Sequence, residues 1–183
     1  MALRYSASVT SRKSLPLLWL LSDLRNDAGL VDALHRLPQG SGFVFRHYHL
    51  EEAQRRKRFE ELSQIARTRS HMVILARASG WGEDGHYGSS PPACSALWLA
   101  TAHDGDEIRR AVAEGARGIF LSPVFPTASH PDAATLGVHG FHVLAQQSSV
   151  PVIALGGMSH ERANALAWPR WGAIDGLVSP KAP

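Results

Sequence analysis

Two neighbouring glycines, Gly156 and Gly157, stand between the apolar run PVIAL and a stretch with helical character that begins near Ser159. Glycines at such a junction let backbone N–H groups approach an anion at the start of a helix. The same pair is also typical of a plain tight turn. The loops after strands seven and eight are the usual phosphate site of a barrel. The pair therefore indicates a phosphate site if the chain folds as one.

A second polar segment, GIFLSPVFPTASHPDAATLG, covers residues 118–137. It begins as a buried strand and continues as a long loop that contains proline. Thr127 and Ser129 offer hydroxyl groups to phosphate oxygens, and His130 can carry a proton at neutral pH. The alternative is a loop whose polar side chains bind no ligand. An apolar strand that leads directly into such a loop favours a ligand-binding loop at the end of a barrel strand.

Arg46 lies near the end of another apolar run, GFVFRHYH. Strand alternation places it on the face of Val44 and Tyr48, opposite Phe45, His47 and His49. An arginine in a barrel mouth can bind a phosphate bidentately, and a surface arginine in an ion pair is the alternative. His47 and His49 have a spacing that aligns two imidazoles for a metal ion. No acidic third ligand accompanies them, which favours helix-facing or exposed histidines instead.

The elements that must position these residues alternate along the chain. Strands are predicted over 17–21, 42–49, 72–76, weakly near 86–87, and over 97–100, 118–122, 151–155 and 173–178. Helices are predicted over 27–36, 51–70, 104–114, 138–147 and 159–167. Alternation of strands and helices implies a parallel sheet, and eight repeats favour a (β/α)₈ barrel over an open sheet. The predicted fold is an α/β TIM barrel, shortened, with a reduced helix after strand three and a truncated last helix.

The composition is that of an ordinary globular protein. The 183 residues, 44% hydrophobic and 19% charged, fit a single domain over 1–183, with 1–14 expected as a flexible tail. The net charge of +3 fits a protein that handles anionic substrates. The dense basic run at 55–58 lies in a predicted helix, and we interpret it as a solvated face rather than a nucleic-acid surface. The single cysteine, Cys94, excludes an internal disulfide.

The apolar run LPLLWLL near the N-terminus is seven residues long and is followed by Ser22 and Asp23 rather than a cleavage site. A buried strand is therefore favoured over a signal peptide. No run reaches transmembrane length. We expect a cytoplasmic protein that binds neither membranes nor nucleic acid. A truncated last helix would leave apolar barrel wall near Leu177 uncovered, which would favour a homo-oligomer.

Several motifs resemble those of the thiamine phosphate synthase/TenI family. LSPVFPTASHP at 121–131, with LG at 136–137, is similar to the family's strand-six loop, G-P-V-F-P-T-x-T-K-x…L-G. PVIALGGM at 151–158 resembles P-V-x-A-I-G-G-I, and Thr101-x-His103 resembles the S-x-H that follows strand five. WGEDG at 81–85 is similar to G-A-D-G-V-H, and Phe45-Arg46 to Q-L-R-x-K. The match is specific from about residue 97 to 178.

This resemblance implies a transferase of thiamine biosynthesis that joins an aminopyrimidine diphosphate to a thiazole phosphate and releases diphosphate. In that family, Mg²⁺ and basic residues stabilise the leaving diphosphate. The resemblance implies that Arg46 contacts the diphosphate and that Thr101 lies near it. The thiazole phosphate would be held by Thr127, Ser129, Gly156, Gly157, Val178 and Ser179. Tyr48 and His103 are further candidate substrate-binding residues.

The sequence departs from the family at its charged positions. The strand-two and loop-six lysines fall on Tyr48 and His130. The Asn-Asp pair whose Asp binds Mg²⁺ falls on Ala76 and Arg77, and a second Mg²⁺ Asp falls near 91–92. Mg²⁺ is thus expected for the family, while its carboxylate ligands are absent here. Arg77 and His130 could replace part of the lost positive charge, and Arg77 could stand in for the metal ion. Both are candidate catalytic residues, together with Arg46.

Three functions stay open on these residues. One is a thiamine phosphate synthase-type enzyme, and another is a non-catalytic or regulatory module that keeps the phosphate cradle. The third is an isomerase of a thiazole phosphate or another small phosphate ester. TenI-like tautomerases carry a His where this chain has Pro123, which argues against transferring their mechanism.

Overall fold

The computed structural model describes residues 14–93, 96–127 and 134–178. Eight parallel strands close into a barrel in which each strand pairs with the next and the last pairs with the first. The strands are β1 (Leu18–Leu21), β2 (Gly42–Phe45), β3 (Met72–Ala76), β4 (Gly85–Gly88), β5 (Leu97–Ala102), β6 (Gly118–Leu121), β7 (Val152–Ala154) and β8 (Trp171–Ala173). The predicted (β/α)₈-type barrel is confirmed.

Within the described residues, five α-helices cover the outside of the barrel. They are α1 (Leu30–Arg36), α2 (Glu52–Thr68), α3 (Gly105–Ala113), α4 (Gly137–Ala145) and α5 (His160–Leu166), with a 3₁₀ turn (Leu24–Gly29) before α1. No helix joins β3 to β4, and the described residues between β4 and β5 form none either. None of the helices in the described ranges is both long and apolar enough to cross a membrane.

Side-chain alternation along the strands builds a core on each side of the sheet. Inward-facing residues, among them Trp19, Val44, Ile74, Leu99, Phe120 and Ile153, fill the barrel interior. Their strand neighbours Phe43, Phe45, Val73 and Leu75 pack outward with residues of α1 and α2. The interior is therefore a packed core rather than a channel, and ligands can reach only the loops at its mouth.

The helices that follow β5 and β7 each begin with a polar side chain that caps the first turn. The Asp104 carboxylate accepts the N–H of Glu107 at 2.8 Å at the start of α3. The Ser159 hydroxyl accepts the N–H of Arg162 at 3.3 Å at the start of α5. Such caps satisfy N–H groups that the first helical turn leaves without partners. They also fix where the preceding loops leave the barrel strands.

Two predicted strands differ from the observed ones by more than about two residues at one end. The sequence pattern predicts a strand over 42–49, but β2 ends at Phe45 because His47 adopts a φ of +32°, outside the extended region. The pattern also predicts a strand over 173–178, whereas β8 is Trp171–Ala173. Beyond β8 the chain turns back, and the N–H of Val178 donates to the carbonyl of Asp175 at 3.0 Å.

The barrel wall near Leu177 is partly covered by the chain itself. Leu177 packs against core residues, and Val178 packs against the outer core beside α1. A guanidinium N–H of Arg36 donates to the carbonyl of Val178 at 3.0 Å. Self-association through this wall stays a prediction.

Candidate functional site

Among the pockets at the carboxyl ends of the described strands, two large ones are neighbours. The glycine-loop pocket, a cavity of about 620 Å³, includes Arg46, Thr127, Gly156, Gly157, Arg162 and Gly176 among its walls. The arginine cleft, of about 670 Å³, includes Tyr48, Arg77, His86, Ser89 and Ser90. Tyr87 and Thr101 line both cavities, so the two pockets meet at these side chains.

Gly156 and Gly157 occupy positions where a Cβ would be strained. Their φ angles are +95° and +63°. A Cβ on Gly157 would lie 2.4 Å from the carbonyl oxygen of Pro126, and one on Gly156 would lie 2.7 Å from the Cα of Pro123. Among the described residues, no group accepts a hydrogen bond from the N–H of either glycine or of Met158. The loop thus presents free backbone donors at the edge of the cavity.

Arg162 ties the loop after β7 to the loop after β6. Its guanidinium donates to the carbonyl of Gly157 at 2.5 Å and lies over the ring of Phe125, 5.3 Å from the centroid. It also lines the glycine-loop pocket and adds positive charge there. Sequence reasoning missed this residue, because its only signal is a position in the first turn of α5, the helix that follows the glycine pair.

The structure brings most of the predicted site residues to the barrel mouth. Arg46, Thr101, His103, Thr127, Gly156 and Gly157 line the glycine-loop pocket, and Tyr48 and Arg77 line the arginine cleft. Val178 lines neither pocket, because β8 ends earlier than predicted and residues 173–176 form that wall. Ser129, His130 and Ser179 lie outside the described residues.

Arg46 is held in place before any ligand arrives. Its Nε donates to the carbonyl of Ser22 at 3.0 Å, and Nη2 donates to the Asp23 carboxylate at 2.8 Å. Burial tends to raise the pKa of Asp23, but the Arg25 N–H and the nearby guanidinium charges outweigh it and hold that pKa below its usual value. Arg46 therefore both forms an ion pair and lines the pocket. The two interpretations of this residue from the sequence, a phosphate ligand and an ion-pair partner, are thus compatible.

Tyr87 is a second residue of the mouth that sequence reasoning left without a role. It lies at the junction of the two pockets, with its ring edge-on to Phe120 at 5.2 Å between centroids. Burial raises the pKa of Tyr87 to about 12, although the Arg46 charge opposes the shift. The phenol therefore keeps its proton at neutral pH and can act as a hydrogen-bond donor to a ligand.

Three guanidinium groups surround the ring of Tyr48. Those of Arg46, Arg55 and Arg77 lie 5.9, 5.8 and 4.2 Å from its centroid. Arg55 is only 7% exposed, and it donates to the carbonyl oxygens of Arg46, at 3.0 Å, and of Ala76. This corrects the interpretation of the run at 55–58 as a solvated face, since its first residue is buried and joins the ends of β2 and β3.

The residues present do not fit a magnesium site. No Asp or Glu lines the described part of the arginine cleft, where the family's carboxylates would fall. Nowhere in 14–93, 96–127 and 134–178 do three His, Cys, Asp or Glu side chains group closely enough to hold a metal ion. The His47–His49 pair is not available either, because both ring nitrogens of His47 are already bonded, to Ser22 and Asp27 at 2.8 Å each.

His47 instead anchors a buried network beneath Arg46. Its ring stacks on Phe45 at 4.7 Å, and the Ser22 hydroxyl that bonds it also accepts the N–H of Arg46 at 2.8 Å. Asp27, its other partner, accepts from Arg58 at 2.9 Å. Burial lowers the pKa of His47, although Asp27 opposes the shift. Burial tends to raise the pKa of Asp27, but its bonds to His47 and Arg58 lower it overall.

We expect this network to make the protein sensitive to acid. Because the pKa of His47 is lower when folded, the unfolded chain binds more protons as the pH falls below about 6.5, and stability then decreases. Protonation of Asp27 adds to the loss at lower pH. Replacing His47→Gln should cost about 1–2 kcal/mol at pH 8 and flatten the pH dependence between pH 7 and 5. Some dependence of stability on pH should remain in this variant, because burial also lowers the pKa of His71.

Urea unfolding at several pH values between 5 and 8 measures this effect. His35→Gln, at an exposed position on α1, is the matched control and should follow the wild type. An unchanged slope in His47→Gln would show that His47 does not titrate in this way.

Fold and site together define a (β/α)₈-type barrel protein with a glycine loop and arginines at its mouth. A family model described as thiamine monophosphate synthase matches residues 97–173, which confirms the resemblance to that family. The matched segment carries the end of β5, the strand-six loop and the glycine pair.

Curated thiamine-phosphate synthases are similar to this chain over part of their own length. A thiamine-phosphate synthase from Chloroflexus aurantiacus is 38% identical over 43% of this chain and 35% of its own. One from Caldivirga maquilingensis is 34% identical over 46% of this chain and 42% of its own. The chain thus spans about two fifths or less of the length of the curated relatives it matches.

Solved structures show the same fold. Thiamine phosphate pyrophosphorylase from Pyrococcus furiosus superposes with a TM-score of 0.73 at 19% identity, over 86% of this chain and 85% of its own. FabK from Thermotoga maritima superposes with a TM-score of 0.66 at 15% identity, over 89% of this chain and 59% of its own. At these identities the likeness concerns the barrel and not its activity.

Proposed function

We propose that this protein is a thiamine phosphate synthase-type transferase, which joins an aminopyrimidine diphosphate to a thiazole phosphate and releases diphosphate. The observation that supports it most is the pair of pockets that meet at Tyr87 and Thr101. A reaction between two phosphorylated molecules needs two anion-binding compartments whose inner ends adjoin. The family match over residues 97–173 supplies the choice of substrates.

The glycine-loop pocket suits the thiazole phosphate. Gly156, Gly157 and Met158 offer unpartnered N–H groups there, and Thr127 and Arg162 line the same cavity. The three backbone N–H groups can bind phosphate oxygens without loss of a bond elsewhere. Helix α5 is only 7 residues long, so the cradle depends on these groups more than on a helix dipole.

Arg46 and Arg77 suit the diphosphate of the second substrate. In the proposed reaction, the bond between the pyrimidine methylene carbon and the diphosphate oxygen breaks, and its electron pair leaves with the diphosphate. The thiazole nitrogen then donates its lone pair to the methylene carbon, which forms the new carbon–nitrogen bond. Guanidinium groups near the departing oxygen would stabilise its growing negative charge.

The other predicted residues take proposed roles at the rim. Thr101 and Tyr48 would contact the pyrimidine substrate. His103 is exposed and bonded to Glu107 at 2.9 Å, so it would contact a ligand only from the edge of the pocket. His130 as a catalytic residue and Ser129 and Ser179 as phosphate ligands stay predictions.

Replacing Gly157→Ala should remove most of the affinity for the thiazole phosphate. The new methyl group would meet the Pro126 carbonyl oxygen at 2.4 Å, and a φ of +63° costs about 1–2 kcal/mol for a residue with a Cβ. We expect binding, measured by calorimetry, to weaken about tenfold or more. Gly140→Ala, inside α4, is the control and should bind normally, because its Cβ would make only an ordinary contact with Leu136 at 3.7 Å. Equal affinity in both variants would rule out the glycine cradle.

Incubation with both substrates, followed by mass spectrometry, tests the proposed function. The proposal predicts thiamine phosphate only when both substrates are present. A binding module is the second candidate, and the lack of carboxylates in the described part of the arginine cleft favours it. It predicts that the thiazole phosphate binds and no product forms. Failure of both substrates to bind would exclude both candidates.

A further inference from the structure

The arginine cleft carries positive charge that no carboxylate in it balances. Arg77 is exposed at the cleft, and no ion pair or hydrogen bond engages its guanidinium among the described residues. Its backbone has a φ of +54°, a region that residues with a side chain seldom adopt. Such strained positions concentrate at ligand-binding sites, where the surrounding structure holds them.

Tyr48 orients Arg77 toward the cleft. The guanidinium carbon lies 4.2 Å from the centroid of the Tyr48 ring, and both residues line the cavity. Stacking on a ring uses the face of a guanidinium and leaves the N–H groups on its edge for an anion. A planar fork of N–H groups matches two phosphate oxygens at once.

Arg55 makes the same region unfavourable for a cation. It is buried at the ends of β2 and β3, and its donors are bonded to the carbonyl oxygens of Arg46 and Ala76. Burial lowers the pKa of Arg55, with Arg77 adding to the shift and Tyr48 and Glu52 opposing it. Glu52, in the first turn of α2, lines a neighbouring pocket with Arg55 and Arg77 but forms no ion pair with either within the described chain. A divalent cation here would meet two guanidinium charges rather than two carboxylates.

Hydroxyl groups complete the cleft. Ser89 and Ser90 line it on the side of β4, and Thr101 lines it where it joins the glycine-loop pocket. These groups can donate to phosphate oxygens that the arginine does not reach. We infer that the arginine cleft binds the diphosphate group of an organic diphosphate directly, through Arg77, and without a divalent metal ion. The organic part of that ligand rests on the proposed function, whereas the diphosphate rests on the cleft itself.

Calorimetric titration of the full chain with inorganic pyrophosphate, in EDTA and in Mg²⁺, tests this inference. We expect binding in EDTA, no tighter when Mg²⁺ is added. Arg77→Ala should weaken it about ten- to a hundredfold, and Arg77→Lys, which keeps the charge but loses the fork, by less. Arg110→Ala, which removes one exposed charge from α3, should bind as the wild type does. Inorganic phosphate should bind more weakly than pyrophosphate.

Two results would overturn the inference. One is binding that appears only with Mg²⁺, and the other is wild-type affinity in Arg77→Ala. If Arg77→Ala does not fold, as judged by circular dichroism, the affinities of Arg77→Lys and Arg110→Ala for pyrophosphate are compared. Weaker binding in Arg77→Lys supports the inference, and equal binding overturns it. Metal-free binding of pyrophosphate in a protein that makes no thiamine phosphate would reject the proposed function and leave this inference in place.

Discussion

Replacing Arg46→Ala is expected to slow thiamine phosphate formation by about 100- to 1,000-fold, the usual loss when one preorganised group that stabilises transition-state charge is removed. Arg46 lines the glycine-loop pocket, and its guanidinium lies 5.9 Å from the Tyr48 ring of the arginine cleft. It is already fixed by Ser22 and Asp23, so it need not reorganise as the diphosphate leaves. The rate of product formation at saturating substrate measures the effect.

Two variants separate charge from geometry. Arg46→Lys keeps a positive charge but loses the fixed fork, so we expect it to recover only part of the rate. Arg110→Ala should keep the full rate, because Arg110 is exposed on α3 and lines neither pocket. An Arg46→Ala protein that is folded and as fast as the wild type would remove Arg46 from the mechanism.

Replacing Trp19→Ala is expected to lower the free energy of unfolding by about 3–5 kcal/mol, the usual cost of truncating a buried aromatic residue. Trp19 is fully buried in the barrel interior, with its ring edge-on to Phe120 at 5.5 Å. Its indole N–H donates to the carbonyl of Pro16 at 2.9 Å. The alanine variant would leave a cavity below the mouth and an unpaired carbonyl.

Urea unfolding at pH 8 measures this loss. Leu24→Ala is the control, because Leu24 is 64% exposed and its truncation should change stability by less than about 0.5 kcal/mol. The loss of stability in Trp19→Phe should fall between the losses in Leu24→Ala and Trp19→Ala. A loss below about 1 kcal/mol in Trp19→Ala would show that the barrel interior is not packed as described.

Alternation along the chain was enough to predict the barrel and the orientation of its second strand. Arg46 lines the mouth and His47 packs on the helix side, as the period of two requires, even though β2 ends before both residues. Where β2 ends could not be predicted. The positive φ of His47 accompanies its bonds to Ser22, directly after β1, and to Asp27 in the 3₁₀ turn that follows.

The residues that sequence reasoning missed act through contacts between distant parts of the chain. Arg55 lies within a basic run typical of a solvated helix face, yet it is buried because it reaches the carbonyl ends of β2 and β3. Tyr87 sits on a short strand with no motif of its own. The family resemblance implies that Val178 belongs to the phosphate cradle, whereas residues 173–176 line the glycine-loop pocket after a three-residue β8.

The most direct test of the proposed transferase is a quenched time course with isotope-labelled thiazole phosphate and the aminopyrimidine diphosphate, in EDTA. Labelled thiamine phosphate and free diphosphate should appear in equal amounts, and omitting either substrate should stop both. Adding Mg²⁺ should not be required. Diphosphate release without labelled thiamine phosphate, or no reaction while both ligands bind, would contradict the account.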